Sequence, residues 1–218
     1  MYAAITTMRL DLTGPAARDV PALLRDLVGR TCPAALAVGM LDATLLHLPP
    51  DRIVMIAIYD DEADAIAIAS TVEETITTEF AGTVRWEQRV VGLLYHSLLP
   101  DESELTWRSR AQVLHATWST WRVAPHLRSD EALERFIAWG RERFEPLLRQ
   151  LGQLDALVIR SAEDTMAVLN LYPEPIEGQA GYRQVVAKVA DFAAGNLELV
   201  EFQTGQAFDL AMLLARAV

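Results

Sequence analysis

The chain has 218 residues, 51% of them hydrophobic and 22% charged, with a formal net charge of -11. That much apolar material excludes a disordered chain, and the acidic balance argues against a surface that tracks nucleic-acid phosphates or an anionic membrane. One cysteine, Cys32, rules out an intrachain disulfide; with no signal-peptide pattern, the expected location is the cytoplasm.

In chain order, Ala3 to Leu12 reads as a strand. Asp19 to Arg30 carries Val20, Leu23, Leu24, Leu27 and Val28 at helical spacing. Val38 to Leu48 and Arg52 to Tyr59 are predicted strands, with Pro49-Pro50-Asp51 turning between them. Glu62 to Phe80 is a predicted helix that Gly82 ends, and Thr83 to Ser97 is a long strand. The polar stretch Leu99 to Gln112 reads as a connection. His115 to Val123 is again a strand, and Asp130 to Leu151 a helix capped at Ser129 or Asp130. Asp155 to Arg160 and Thr165 to Tyr172 are predicted strands, Ile176 to Ala194 a helix, Leu197 to Gln203 a strand and Gln206 to Val218 a closing helix.

The second half of this series repeats the first. Displaced by 113 positions, without a gap, Gly39-Met-Leu-Asp-Ala43 falls on Gly152-Gln-Leu-Asp-Ala156. Arg9 falls on Arg122, Pro33 on Pro146, Asp51 on Asp164, Tyr59 on Tyr172, Ala81-Gly82 on Ala194-Gly195 and Gly92 on Gly205. Most of these residues punctuate turns, so their coincidence marks a duplicated β-α-β-β-α-β unit rather than chance. The expected fold class is α+β: two ferredoxin-like repeats, residues 1–98 and 113–218, the second with an extra C-terminal helix. Such a unit makes a four-stranded antiparallel sheet with both helices on one face. The bare faces of the two sheets are expected to cover each other in an intrachain barrel, a pseudo-dimer.

On this element order, unit length and the Ala-Gly before each last strand, the chain resembles the dimeric α+β barrel superfamily, and within it the antibiotic-biosynthesis monooxygenase type of domain, over residues 2 to 97 and 114 to 206. The resemblance implies the fold. Its members include cofactor-free oxygenases, haem-degrading enzymes, haem peroxidases and isomerases, and fold does not choose among them. Haem-degrading members carry an Asn on the first strand and a Trp and a His on the second helix. Here the first strands hold no Asn, and Glu62–Phe80 and Ile176–Ala194 hold neither Trp nor His.

Alternation sorts the first strands into two faces. Ala3, Ile5, Thr7 and Arg9 share one, with mates Ala116, Trp118, Thr120 and Arg122; Met8, Leu10, Trp121 and Val123 lie on the more apolar other, expected under the helices. The face with Thr and Arg is therefore expected to line a pocket between the sheets. Arg9 and Arg122 are candidates to hold a carboxylate, phenolate or enolate there, with Arg122 and Asn170 as the catalytic pair and Trp118, Tyr172 and Tyr59 beside the substrate. The bland alternatives are an Arg paired at a strand end, a locally satisfied Asn and structural aromatic rings. The mate of Asn170 is Ala57, so the two halves are expected to differ. His47, His96, His115 and His126 lack ligand spacing and no metal is expected; His96 is a candidate axial haem ligand or general base, set against the bland reading of a lone strand histidine that is neither.

Three readings follow. One is a cofactor-independent monooxygenase-like enzyme acting on a small aromatic or polyketide-like molecule, its enolate stabilised in a dry cavity. The second is a non-catalytic barrel that binds a small molecule or is filled by its own side chains. The third binds haem. A small-molecule ligand is the expected partner, neither nucleic acid nor membrane is, and a barrel closed within one chain allows a monomer as well as a homodimer.

Overall fold

Strands and helices alternate through the chain twice, and the second pass copies the first at the same displacement of 113. The structure, a computed structural model, describes residues 1–11, 13, 19–97, 113–176 and 181–209. β1 (Tyr2–Leu10), α1 (Val20–Ala37), β2 (Met40–Leu48), β3 (Arg52–Tyr59), α2 (Glu62–Ala67), α3 (Ala69–Glu79) and β4 (Val84–Ser97) form the first pass. β5 (Leu114–Val123), α4 (Asp130–Gln150), β6 (Asp155–Ala162), β7 (Thr165–Tyr172), α5 (Tyr182–Ala193) and β8 (Leu197–Asp209) form the second. The bounds of β3 and β7 correspond residue for residue. The hydrogen-bonding order of the strands, β1-β3-β2-β8-β5-β7-β6-β4, returns to its start because β4 also pairs with β1. The fold is the α+β barrel built from two ferredoxin-like repeats.

Several boundaries differ from those read in the sequence. α1 continues past Arg30 to Ala37, whereas α4 runs through Pro146 as expected. Each proline removes one donor from the helix ladder, but in α1 the buried stripe goes on through Thr31, Cys32 and Ala35, so packing outweighs that loss. Asp19 caps α1 by accepting from the Ala22 amide, and Ser129 caps α4 by accepting from Ala132. The expected single helix Glu62–Phe80 is two, meeting at Ile68, whose side chain is buried. α5 starts at Tyr182, not Ile176. β8 extends to Asp209, so Gln206–Asp209 are strand rather than helix; they pair with Thr44–His47 of β2. The remainder of the expected closing helix, and the connection Leu99–Gln112, lie outside the described residues.

The chain forms two compact units. The first holds residues 1–93 with 205–209, the second 94–97 with 114–204. In the first unit, α1, α2 and α3 cover one face of the sheet. Ala4, Met8 and Leu10 of β1 meet Leu24, Leu27 and Val28 of α1 and Val72 and Ile76 of α3 in a continuous core. Each such aliphatic side chain contributes about 1.5–3 kcal/mol on burial. The apolar face thus lies under the helices, as alternation predicts. In the second unit a smaller core gathers Val123, Leu127, Leu133, Phe136 and Met166. Gly39 and Gly152, and Gly82 and Gly195, take left-handed φ values (96° and 82°, 75° and 75°). Only glycine adopts these cheaply, which is why they survive in both copies.

Candidate ligand cavity in the second unit

Where the first unit holds a continuous apolar core, the second is hollow. A cavity of about 630 Å³ lies between the sheet and the helices α4 and α5, and every residue lining it belongs to the second unit. Its size suits a drug-sized molecule. The displacement by 113 shows how it arises. Leu27, Met55, Ile76 and Phe80 of the first unit correspond to Gly140, Val168, Val189 and Ala193, each smaller. Leu23 and Thr31 correspond to Phe136 and Phe144, which are larger and sit on α4. Phe192 of α5 stacks on Phe136 with centroids 4.6 Å apart and meets Phe144 edge-on at 5.1 Å. Gly140 makes this possible: a Cβ there would lie 3.1 Å from the Phe192 ring.

The floor of the cavity is polar and uncharged. Gln153 Nε2 donates to Asn170 Oδ1 at 2.7 Å, and Asn170 Nδ2 donates to Thr117 Oγ1 at 3.1 Å. Gln153 and Thr117 are buried. In this relay Thr117 uses its hydroxyl only to accept and Gln153 only to donate. Among the described residues the Thr117 O–H and Gln153 Oε1 have no partner and can meet a ligand. Ser119 accepts from the Trp121 indole at 2.8 Å and, like Thr117, keeps its own O–H as a donor. Tyr172 lines the same space and is 1% exposed. Burial, with Tyr182 nearby, raises its phenol well above the ordinary tyrosine range and keeps it a protonated donor. The corresponding relay positions in the first unit are Met40, Ala57 and Ala4, all apolar.

At one edge, Glu145 accepts from Arg149 Nε at 2.9 Å and faces Arg141 Nε at 3.6 Å. Among the described residues it is the single carboxylate in the lining, and Arg141 the single cation. Val186, Leu199 and Phe202 form an apolar rim, each about half exposed.

Of the residues singled out from sequence, the structure brings Asn170 and Tyr172 together in this cavity and leaves the others elsewhere. Arg9 is not sheltered: its side chain is 42% exposed and donates to Asp51 at 2.8 Å and Glu87 at 2.7 Å. Both carboxylates hold its guanidinium above the usual range. Arg122 is exposed too and pairs with Glu198 at 2.9 Å. The charge of each is met at a strand end, where solvent is near. Trp118 is buried on the strand face opposite Thr117 and Ser119, outside the cavity lining, and its indole N–H is buried without a hydrogen-bond partner among the described residues. Tyr59 lies in the first unit beside Arg89, whose guanidinium donates to Thr6 Oγ1 and to the Ala65 carbonyl, each at 3.1 Å. Burial raises the Tyr59 phenol; Arg89 acts in the opposite direction. The cavity thus lies on the helix side of one sheet, opposite the strand face on which the expected pocket was placed. The reason is that the roomier face is decided mainly by helix residues, Gly140 above all, and only in part by strand residues such as Val168.

Thr117, Gln153 and Gly140 were missed. A signal was present: comparing the copies position by position, the second replaces apolar residues with Thr and Asn on one sheet face and with Gln just before β6, and a helix leucine with glycine.

The lining does not suit a haem. Among the described residues it offers no imidazole and no thiolate, and the Tyr172 phenol is held neutral by burial. The side chain of His96 lies outside the described residues. Among the described residues no three His, Cys, Asp or Glu side chains gather to hold a metal ion, and no helix is long and apolar enough to cross a membrane.

No protein-family model and no curated protein matches the sequence. Solved structures do match. A chlorite dismutase from Candidatus Nitrospira defluvii aligns with a TM-score of 0.57 at 14% identity, over 99% of this chain and 94% of that one. A proposed monooxygenase from Fusobacterium nucleatum subsp. nucleatum gives 0.56 at 9%, over 95% and 92%. An anthrone oxidase-like protein gives 0.52 at 12%, over 96% and 93%. Together with the closed strand order and the duplicated unit, these likenesses over nearly the whole length give the chain the fold of the dimeric α+β barrel proteins.

Proposed function

We propose that the second unit binds a largely apolar, aromatic small molecule bearing a hydroxyl or carbonyl, and oxidises it with molecular oxygen without a cofactor. The observation that carries this reading is the neutral relay Gln153–Asn170–Thr117, set with Tyr172 at the floor of an otherwise aromatic and aliphatic cavity. Donors with no competing charge stabilise an oxyanion that forms only during reaction, and exclusion of water strengthens them. The names of the structural neighbours, a proposed monooxygenase and an anthrone oxidase-like protein, agree with it. The reaction that fits is conversion of an activated methylene: CH2 plus O2 gives C=O plus H2O. The two hydrogens leave in the water, and oxygen takes all four electrons, so no separate reductant is needed.

The test is oxygen consumption by the purified chain with anthrone, alongside quenching of tryptophan fluorescence, since Trp121 lines the cavity. Expected are saturable quenching and uptake of one O2 per methylene, with the enzymatic uptake lost in Asn170→Ala. Saturable quenching with no uptake above the uncatalysed rate would leave binding and remove catalysis. The second reading, a binding protein without turnover, is favoured by a different feature: among the described residues no carboxylate or imidazole lies on the floor to act as a general base for the methylene proton.

A further inference from the structure

The polarity of the cavity runs against the usual arrangement. A site that takes an amphipathic molecule tail-first has an oily interior and polar groups at its entrance. Here the polar groups are innermost. Thr117, Gln153 and Tyr172 are 4%, 5% and 1% exposed, whereas Val186, Leu199 and Phe202 at the rim are 47%, 49% and 47% exposed. Three half-exposed apolar side chains from two neighbouring elements are more than scattered surface residues.

The first unit shows that the rim is a departure. The position of Phe202 there is occupied by Arg89, whose guanidinium is tied to Thr6 and the Ala65 carbonyl. In the second unit a ring that meets water replaces a cation bound to the protein. The charges that do border the cavity, Arg141 and Glu145, lie at its edge and form an ion pair that Arg149 joins, away from the buried relay.

We infer that the ligand enters polar end first and carries an apolar substituent too long to be enclosed, which leaves the cavity across Val186, Leu199 and Phe202. The chemical class is a hydroxy- or oxo-arene with a long alkyl or aryl tail. This rests on the cavity being the ligand site, and it adds the ligand's orientation and length. Bound the other way, the ligand would set its oxygen against Leu199 and Phe202 and strip water from Thr117, Gln153 and Tyr172 without replacing it. Each uncompensated group costs about tenfold or more in affinity.

A series of para-n-alkylphenols from methyl to dodecyl, read by tryptophan quenching, tests the orientation. Affinity is expected to rise about fourfold per methylene while the tail is still buried, then to level off once it passes the rim. A carboxylate on the far end of the dodecyl member should leave affinity nearly unchanged, because that end is in water. Removing the phenol hydroxyl should weaken binding about tenfold. Phe202→Ser should weaken the long members and spare the short ones. Loss of binding on adding the terminal carboxylate, or an equal effect of Phe202→Ser on every member, overturns the inference and leaves the cavity as a binding site. If no member quenches at all, the cavity reading falls with it.

Discussion

Asn170 and Ala57 hold equivalent places in the two units, and exchanging them tests whether the second unit is built around a ligand. Asn170→Ala removes both bonds of the relay, stranding Gln153 Nε2 and Thr117 Oγ1. Water can enter a cavity of about 630 Å³ and take up those groups, so the loss of stability is held to about 1–2 kcal/mol. For a chain of this length that lowers Tm by roughly 2–8 °C. Ala57→Asn is the reverse case. Ala57 is 2% exposed within a filled core, so an amide there meets no partner and must displace its neighbours, at about 3–5 kcal/mol. Calorimetry or thermal circular dichroism on both variants gives the ratio directly. Ligand quenching should fall about tenfold in Asn170→Ala and stay unchanged in Ala57→Asn wherever that variant remains folded. Equal destabilisation by the two substitutions, or undiminished ligand affinity in Asn170→Ala, would refute the reasoning.

Further outcomes follow from the same geometry. Burial pushes the Cys32 thiol from its ordinary 9.0 up to about 11; the folded state keeps a proton that the unfolded state releases, so this contribution is intact below pH 9 and lost as pH rises from 9 toward 11. Its full size is about 2–3 kcal/mol, and denaturant titrations should show the alkaline decline flatten in Cys32→Ala; an identical decline in both proteins rejects the assignment. Added haemin should keep the Soret band of free haemin, and a ligated spectrum would mean that the lining has been misjudged. Arg9→Ala and Arg122→Ala should leave quenching by ligand unchanged, because both guanidinium groups are engaged by carboxylates outside the cavity; loss of binding in either restores it to the site.

The architecture was legible because the duplication preserved what turns require. Gly39 and Gly152, or Gly82 and Gly195, cannot be replaced without strain at positive φ, so their spacing outlived the divergence around them. Pro33 misled for the opposite reason: a proline usually closes a helix, yet here the buried stripe of α1 carries on beyond it. The two faces of β1 and β5 were legible from alternation, and so was the difference between Asn170 and Ala57. Which face opens into space was not, because volume depends on side chains opposed across layers. The relation of Gly140 to Phe192 lies between two helices more than fifty positions apart, and no local pattern announces it.

The passage of β8 from one unit into the other has a consequence for engineering. Its first residues border the cavity, while its last pair with β2 in the opposite unit. At that crossing a Cβ on Gly205 would come within 2.1 Å of the His47 carbonyl. Recombining the halves of this chain with those of a relative by a cut between residues 98 and 113 would therefore transplant a strand end along with the cavity. A chimera would inherit a mismatched edge beside His47 unless its new partner also tolerates a bare backbone there.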